Sequence, residues 1–379
     1  MEARFLHTSD WQLGVTRKFL SDDSQARWTE ARFEGVRQIG RIAKEERCEF
    51  IVVAGDIFES NQVDRKTVLK ACEAMAGIGV PIYLLPANHD PLDAGSVFNS
   101  KPWKERKPAH VHVLDAAGKI YEVRAGVEVV GAPWTSKRPL SDLVATTAAM
   151  LEPQSSALRI MVGHGQVDQL SPDRDNPALI KVADANKALH EGRYHYLALG
   201  DRHSLTDIGT SGRIRYSGTH EAYDFAEVDP GKVLIVDLSH DNVSARPRQN
   251  GAWRFIVRDA QVSTLEDVEA LSRYLEALPE KERTVLKLGL VGTLSIEAHA
   301  RLEEVEGHAK ELLASIVRSG SRSELSIIPV DEDFGNLNLA GFAANTVATL
   351  RGQVGDIGPD SRQAADALAL LVRLVGRVT

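Results

Sequence analysis

The sequence predicts an α/β protein with one large unit over residues 1–240, a smaller α/β unit over 250–332, and a tail over 333–379 that ends in a helix. Three observations carry that prediction. Over the first 240 residues, short apolar runs alternate with helical periodicity. Several of those runs discharge into loops rich in Asp, Asn and His. The alternation then restarts as βαβαβ from Trp253. A length of 379 residues exceeds one average domain, and 43% hydrophobic with 26% charged residues is ordinary for globular chains.

In chain order, Phe5-Leu6 leads into HTSDWQLG, and Phe33, Val36, Gly40 and Ala43 keep helical spacing. Phe50 to Ala54 reads as a buried strand that stops at Gly55-Asp56. Val68, Leu69, Cys72 and Met75 mark a helix, and Pro81 to Leu85 the strand before PANHD. Residues 101–110 (KPWKERKPAH) read as a basic, solvated loop. Lys119 to Val130 is expected as a hairpin around Ala125-Gly126, and Arg159–Val162, Tyr194–Leu199, Arg213–Ser217 and Lys232–Leu238 as strands. Leu238 to Trp253 reads as a linker.

Beyond it, Trp253 to Val257 is strand-like, and Ser263-x-x-Glu266 forms a capping box before Leu265, Val268, Leu271 and Leu275. Val285 to Val291 is the next strand; Leu302, Val305, Ala309, Leu312 and Ile316 line one helix face; Leu325 to Ile328 is a third strand. Residues 335–360 are Gly- and Asn-rich, and Asp360 to Val378 is an amphipathic helix bearing Leu368, Leu371, Val372 and Val375.

Composition excludes several classes. The longest apolar runs, such as Phe50 to Ala54 and Ala367 to Val372, fall far short of the ~18 residues of a membrane span. Residues 1–20 carry Glu2, Arg4 and Asp10 and do not read as a signal peptide. Cys48 and Cys72, both in segments that read as helical, lack metal or disulfide spacing, so a reducing cytoplasm is expected. With 45 basic against 53 acidic residues, the net charge of −8 argues against coating nucleic acid by bulk electrostatics.

Five clusters carry chemistry: Asp10-Trp11-Gln12, Gly55-Asp56, Asn88-His89-Asp90, Gly163-His164-Gly165 and Gly200-Asp201-Arg202-His203. All follow predicted strands, where open α/β sheets place their ligands. Carboxylate, carboxamide and imidazole groups delivered to one sheet edge can hold two divalent cations, because a shared Asp bridges them while Asn and His complete each shell.

The ordered set resembles the calcineurin-like metallophosphoesterases, whose pattern runs D-x-H, GD, GNHD, GH and GHxH. HTSDWQLG, VVAGDIFE, PANHD and YSGTHEAYDFAEVDPGKVLIVDL are similar to the SbcD-type DNA repair exonucleases, nuclease subunits that work with an SMC-like ATPase. The resemblance implies a calcineurin-like phosphoesterase β-sandwich flanked by helices, with a smaller α/β capping domain and a C-terminal helix that is a candidate ATPase-docking element. It places Asp10, Asp56 and His203 on one metal and Asp56, Asn88 and His164 on the other, with Asp56 as the bridge. It gives His89 the role of protonating the leaving 3′ oxygen.

Two positions depart from that pattern: Gln12 and Asp201 stand where the family has histidines. Both can still ligate, and three carboxylates would favour harder ions, Mn2+ or Mg2+. His7 is expected as a residue behind the ligands or in the core, His110 and His112 at the surface, and Glu59 as a residue behind the ligands or a helix N-terminal acid. His190, His195, His240, His299 and His308 have no companions at ligand spacing.

The function implied is a Mn2+-dependent DNA nuclease with exonuclease and endonuclease potential, acting at DNA ends in double-strand-break repair. The implied protein is a cytoplasmic homodimer, nucleoid-associated on DNA, whose Arg202, Arg213 and Arg215 face the phosphate backbone. Two alternatives stand beside it: a small-molecule phosphodiesterase on the same fold, and a catalytically impaired DNA-end-binding scaffold motivated by Gln12 and Asp201.

Overall fold

The computed structural model describes residues 1–153, 156–327, 342–354, 363–364 and 367–368. The chain divides into a unit of Met1–Lys18 with Gln25–Trp253 and a unit of Phe19–Ser24 with Arg254–Thr379.

Twelve strands of the first unit form two six-stranded sheets: β1 (Glu2–Thr8), β2 (Phe50–Val53), β3 (Ile82–Leu84), β4 (Val111–Val113), β5 (Ile120–Arg124), β6 (Val127–Gly131), β7 (Leu158–His164), β8 (Tyr196–Gly200), β9 (Thr206–Ile208), β10 (Ile214–Tyr216), β11 (Lys232–Ser239) and β12 (Val243–Gln249). One sheet has the order β12-β11-β1-β2-β3-β4, the other β5-β6-β7-β8-β10-β9. The central strands are parallel: β1 to β4 in the first sheet and β6, β7, β8 and β10 in the second.

Strand pleating explains the layers. Phe5, Phe50, Val52 and Tyr83 of the first sheet meet Val129, Ile160, Val162 and Tyr196 of the second in one core between the sheets. The alternate residues Leu6, Ile51, Val53, Ile82 and Leu84 pack under α1 (Asp22–Glu45) and α2 (Arg65–Ala76). Val130, Met161, Leu197 and Leu199 pack under the helices α4 (Leu143–Ala149) and α5 (Val182–His190), after a short α3 (Lys101–Arg106). With both faces covered, the strands read as continuous apolar runs. The helix-flanked β-sandwich that the resemblance implies is therefore present.

Local expectations fail in instructive places. The segment expected as a linker contains β12, an edge strand in register with β11 over Lys232↔Gln249 to Leu238↔Val243. Its Pro247 is tolerated at an edge, and Arg246 and Arg248 pair with Glu46 of the loop after α1. The basic run 101–110 is a helix over Lys101–Arg106, capped by Ser100 and anchored by Trp103, which is buried against Phe58 and Phe98. Cys48 lies just past α1 rather than within it, and both cysteines are buried and free. The 119–130 hairpin forms as expected.

The second unit has a parallel sheet of β13 (Arg254–Gln261), β14 (Thr284–Leu294), β15 (Ser315–Arg318) and β16 (Glu324–Ile327), with α6 (Leu265–Ala277) and α7 (Ile296–Leu312) over one face. The capping box lies one residue later than expected, on Thr264 and Asp267. Ile316, expected on the second helix, sits in β15. A helix over Phe342–Val354 occupies the Gly- and Asn-rich stretch. Of the expected terminal stripe, Leu368 is buried with Ile296 and Val347, while Leu371, Val372 and Val375 lie outside the described residues. Among the described residues, no helix is long and apolar enough to cross a membrane.

Candidate metal centre

The C-terminal ends of parallel strands from both sheets converge at one edge of the sandwich. Residues 10 and 12 follow β1, residue 56 follows β2, residues 88 and 89 follow β3, His164 closes β7, and residues 201 and 203 follow β8. The turns that deliver them are sharp: Asp10 (φ 54°), Gln12 (φ 41°), Asp56 (φ 53°) and Asp201 (φ 98°) all have left-handed backbones. Strain of this kind persists where surrounding bonds over-determine it. Here the Arg32 guanidinium and the Thr219 hydroxyl donate to the Asp10 carbonyl, and Gln12 N–H to the Asp56 carbonyl. Two glycines make room for the approach. A Cβ on Gly55 (φ 95°) would stand 2.1 Å from His164 Nδ1, and one on Gly200 1.9 Å from the Ala54 carbonyl oxygen.

Asp10, Asp56 and His164 are all buried, and one ligand atom from each lies within 4.8 Å of the others. His164 Nε2 is 3.4 Å from Asp56 Oδ2 and 3.8 Å from Asp201 Oδ1. Its Nδ1 donates to the Ala54 carbonyl at 2.8 Å, which leaves Nε2 facing the carboxylates, protonated in the metal-free site and a ligand atom once that proton is displaced. Asp10 accepts from Ser9 Oγ at 2.6 Å and from Asp201 N–H at 3.1 Å. His203 donates from Nδ1 to Glu227 Oε1 at 2.8 Å, and the Tyr223 ring packs edge-on to it at 4.8 Å.

Among the described residues, three buried atoms in this cluster have no hydrogen-bond partner: Gln12 Oε1, Asn88 Oδ1 and His164 Nε2. A buried polar atom without a partner costs about 1–3 kcal/mol. Each is of the type that coordinates a cation, so the donor set fits divalent metal.

Charge points the same way. Burial opposes a proton on His164, yet Asp56, Asp10 and Asp201 override it and raise the imidazole to about 10. Burial likewise opposes a charge on His203, and Glu227 with Asp10 overcomes it, raising that ring as well. Burial raises Asp10 and Asp201; Asp56 is lowered, because His164 outweighs its burial. The cluster is a buried anionic pocket that holds positive charge.

His89 donates its backbone N–H to Asp56 Oδ1 at 3.1 Å. Its Nδ1 donates to the Glu59 carbonyl at 2.8 Å, and its Nε2 lies 3.9 Å from Asp56 Oδ2. Asp90 pins this loop by accepting from Phe58 N–H and Ala87 N–H, and burial, with Asp56 nearby, raises it to about 7. Glu59 is no helix N-terminal acid, since Asp64 caps α2; its carboxylate lies 3.7 Å from His89 Nδ1. Asp201 lines two open cavities. One, of about 410 Å³, is lined by Asn88, Trp134 and Lys137; the other, of about 350 Å³, by Arg202, His203 and Tyr223.

The three arginines expected at DNA are placed differently. Arg202 is exposed beside His203, with Nε on Thr206. Arg213 spends its guanidinium on the carbonyls of His195, Ser239 and His240, and Arg215 on Gly212, Ala245 and Asp207. His7 is buried between Tyr196 and the Leu199 carbonyl, behind the ligands. His110 and His112 are occupied by the Met75 carbonyl and the Tyr83 ring. His195 and His240, expected to have no companions at ligand spacing, pack edge-on with ring centroids 4.7 Å apart. Arg32, Trp134 (Nε1 to the His164 carbonyl, 3.0 Å) and Glu227 were not legible from the sequence, because each acts on a partner distant in the chain.

Comparison with known proteins places this geometry. The profile of the calcineurin-like phosphoesterases matches residues 3–244. The chain is 24% identical over 290 residues, covering 67% of it and 69% of its relative, to the SbcD component of the SbcCD nuclease of Bacillus subtilis (strain 168). It is 30% identical over 121 residues to the uncharacterized metallophosphoesterase YhaO of the same organism, covering 30% of this chain and 28% of that protein. Solved structures with a likeness include TT1561 of Thermus thermophilus (8% identity, TM-score 0.40, 65% of this chain and 99% of that one) and a dimetal phosphatase of Danio rerio (12% identity, TM-score 0.42, 65% and 96%).

Proposed function

From its membership of the calcineurin-like phosphoesterase family, we propose that this chain is the nuclease subunit of a DNA-end-processing complex, hydrolysing phosphodiesters with Mn2+ in preference to Mg2+. One observation carries the reading. The strand ends converge on buried Asp10, Gln12, Asp56 and His164 and half-buried Asn88, Asp201 and His203, with unpartnered ligand atoms among the described residues, in a chain similar over two thirds of its length to a nuclease subunit.

These seven residues would hold two divalent cations, with Asp56 shared between them; three carboxylates and two carboxamide oxygens are hard donors and suit Mn2+ or Mg2+. Two cations held there would supply the Lewis acidity that polarises a phosphodiester towards attack by water. The Glu59 carbonyl holds the His89 Nδ1–H, so it is the imidazolium form that delivers a proton from Nε2 to the leaving oxygen, leaving the neutral Nδ1–H tautomer behind. Arg202, exposed at the mouth of the cavity beside His203, meets the phosphate backbone. Arg213 and Arg215 act by holding β10 to its neighbours instead. The partner proposed is an SMC-like ATPase, the assembly a homodimer working on DNA ends in the cytoplasm, and residues 250–332 the guide for the duplex.

A second reading rests on Gln12 and Asp201: with two imidazoles replaced, the chain would bind DNA ends without cutting them. Purified protein incubated with linear DNA and with bis(p-nitrophenyl) phosphate, each with Mn2+ and with chelator, separates the readings. Mn2+-dependent cleavage of DNA supports the nuclease. Hydrolysis of the small ester alone would favour a small-molecule phosphodiesterase, and DNA binding without hydrolysis the scaffold.

A further inference from the structure

Glu227 lies within the YSGTHEAYDFAEVDPGKVLIVDL stretch but outside the five clusters assigned ligands, on the loop after the Tyr223 that packs against His203. Its carboxylate is 4% exposed and spends both oxygens locally. Oε1 accepts from His203 Nδ1 at 2.8 Å, and Oε2 accepts from the Tyr223 backbone N–H at 2.8 Å. The next residue fastens the same loop, Val228 N–H donating to Ser204 Oγ at 2.9 Å, one residue beyond His203. The carboxylate thus faces two N–H groups and no other donor among these contacts. A neutral imidazole has one N–H and one lone pair, and the partner of one nitrogen decides which is which.

We infer that Glu227 is a positioning residue for the metal centre, fixing His203 as the Nδ1–H tautomer so that the Nε2 lone pair is available to a divalent cation. The inference rests on the reading of His203 as a ligand. The chemistry is specific to a carboxylate. An amide in its place has one acceptor oxygen for two N–H groups. If the oxygen stays on Tyr223 N–H, the amide NH2 faces His203 Nδ1, drives the proton to Nε2 and blocks the ligand atom. Outer partners of this kind typically change metal affinity by ~10–100-fold.

The test uses the full chain and Mn2+ alone as the probe. Ring-nitrogen NMR of the metal-free wild type, at a pH where His203 is neutral, should show the Nδ1–H tautomer; the Nε2–H tautomer there would overturn the inference whether or not any variant folds. Glu227→Gln should show Nε2–H and bind Mn2+ ~10–100-fold more weakly by calorimetry. In the His203→Ala background, Glu227→Gln should change Mn2+ affinity no further. An equal loss in both backgrounds would mean that Glu227 acts on the fold and not through His203. Wild-type affinity in His203→Ala itself would refute the underlying assignment of His203 as a ligand, a failure separable from that of Glu227.

Discussion

His164 and Asp56 face each other across the two sheets. The imidazole at the end of β7 brings Nε2 to 3.4 Å from Asp56 Oδ2, while its Nδ1 bonds the Ala54 carbonyl just after β2. One side chain therefore ties the sheets together at the site and presents its free nitrogen to a carboxylate pocket.

That pairing gives the metal-free protein a defined pH dependence. Against the cost of burial, Asp56, Asp10 and Asp201 raise His164 from 6.5 to about 10. A raised imidazole contributes stability that is fully present below pH 6.5 and is lost as pH rises through about 10. Melting temperature measured in chelator should fall across that window, and His164→Gln should remove the fall. Saturating Mn2+ should flatten the wild-type profile, because a cation replaces the proton. A metal-free profile that rises with pH and is unchanged in the variant would contradict this.

Asp56 is the member shared by both proposed cation sites. Asp56→Asn should abolish phosphodiester hydrolysis and lower the bound Mn2+, since a neutral amide cannot offset two adjacent cations. Metal analysis alongside turnover checks both at once. Full occupancy with normal turnover would remove Asp56 from the centre.

His89 should behave differently, because its Nδ1 is taken up by the Glu59 carbonyl and its Nε2 lies 3.9 Å from Asp56 Oδ2, outside the seven proposed ligands. His89→Gln should keep metal and DNA binding while cleavage falls ~10²–10⁴-fold. Loss of metal in that variant would make His89 a ligand instead.

Gly200 is constrained by backbone, not by a mobile side chain. A Cβ there would stand 1.9 Å from the Ala54 carbonyl oxygen and 2.9 Å from His164 Nδ1. Gly200→Ala should lower stability by about 1–3 kcal/mol in urea unfolding, through displacement of β8 from the β2 strand end. An unaffected midpoint would show that β8 can retreat without cost.

The parts of this architecture that were readable in the sequence are those written locally. Phe50 to Val53 followed by Gly55-Asp56 announces a buried strand and its chemistry within a few residues, and the clusters at Asp10, Asn88, His164 and Asp201 do the same. What was not readable depends on distant partners. β12 looks like a linker because Arg246, Pro247 and Arg248 suit an edge, and only Glu46 and β11 make it a strand. Arg213 and Arg215 look free for DNA until the carbonyls of residues 195, 239, 240 and 245 take them up. Trp103 turns a basic stretch into a helix by packing against Phe58 and Phe98. Glu227, one of several acids in its loop, is set apart from them by lying 2.8 Å from a histidine 24 residues earlier.

The two positions that depart from the family pattern bear most directly on whether the cluster is a working two-cation centre. Gln12 Oε1 is buried without a partner, and Asp201 sits 3.8 Å from His164 Nε2. The decisive measurement is a calorimetric titration of Mn2+ into metal-free wild type, Gln12→Ala and Asp201→Ala. A two-cation centre predicts two equivalents bound by the wild type and one site weakened by ~10–100-fold in each variant. A wild type that binds no Mn2+, or alanine variants that titrate like the wild type, would contradict it.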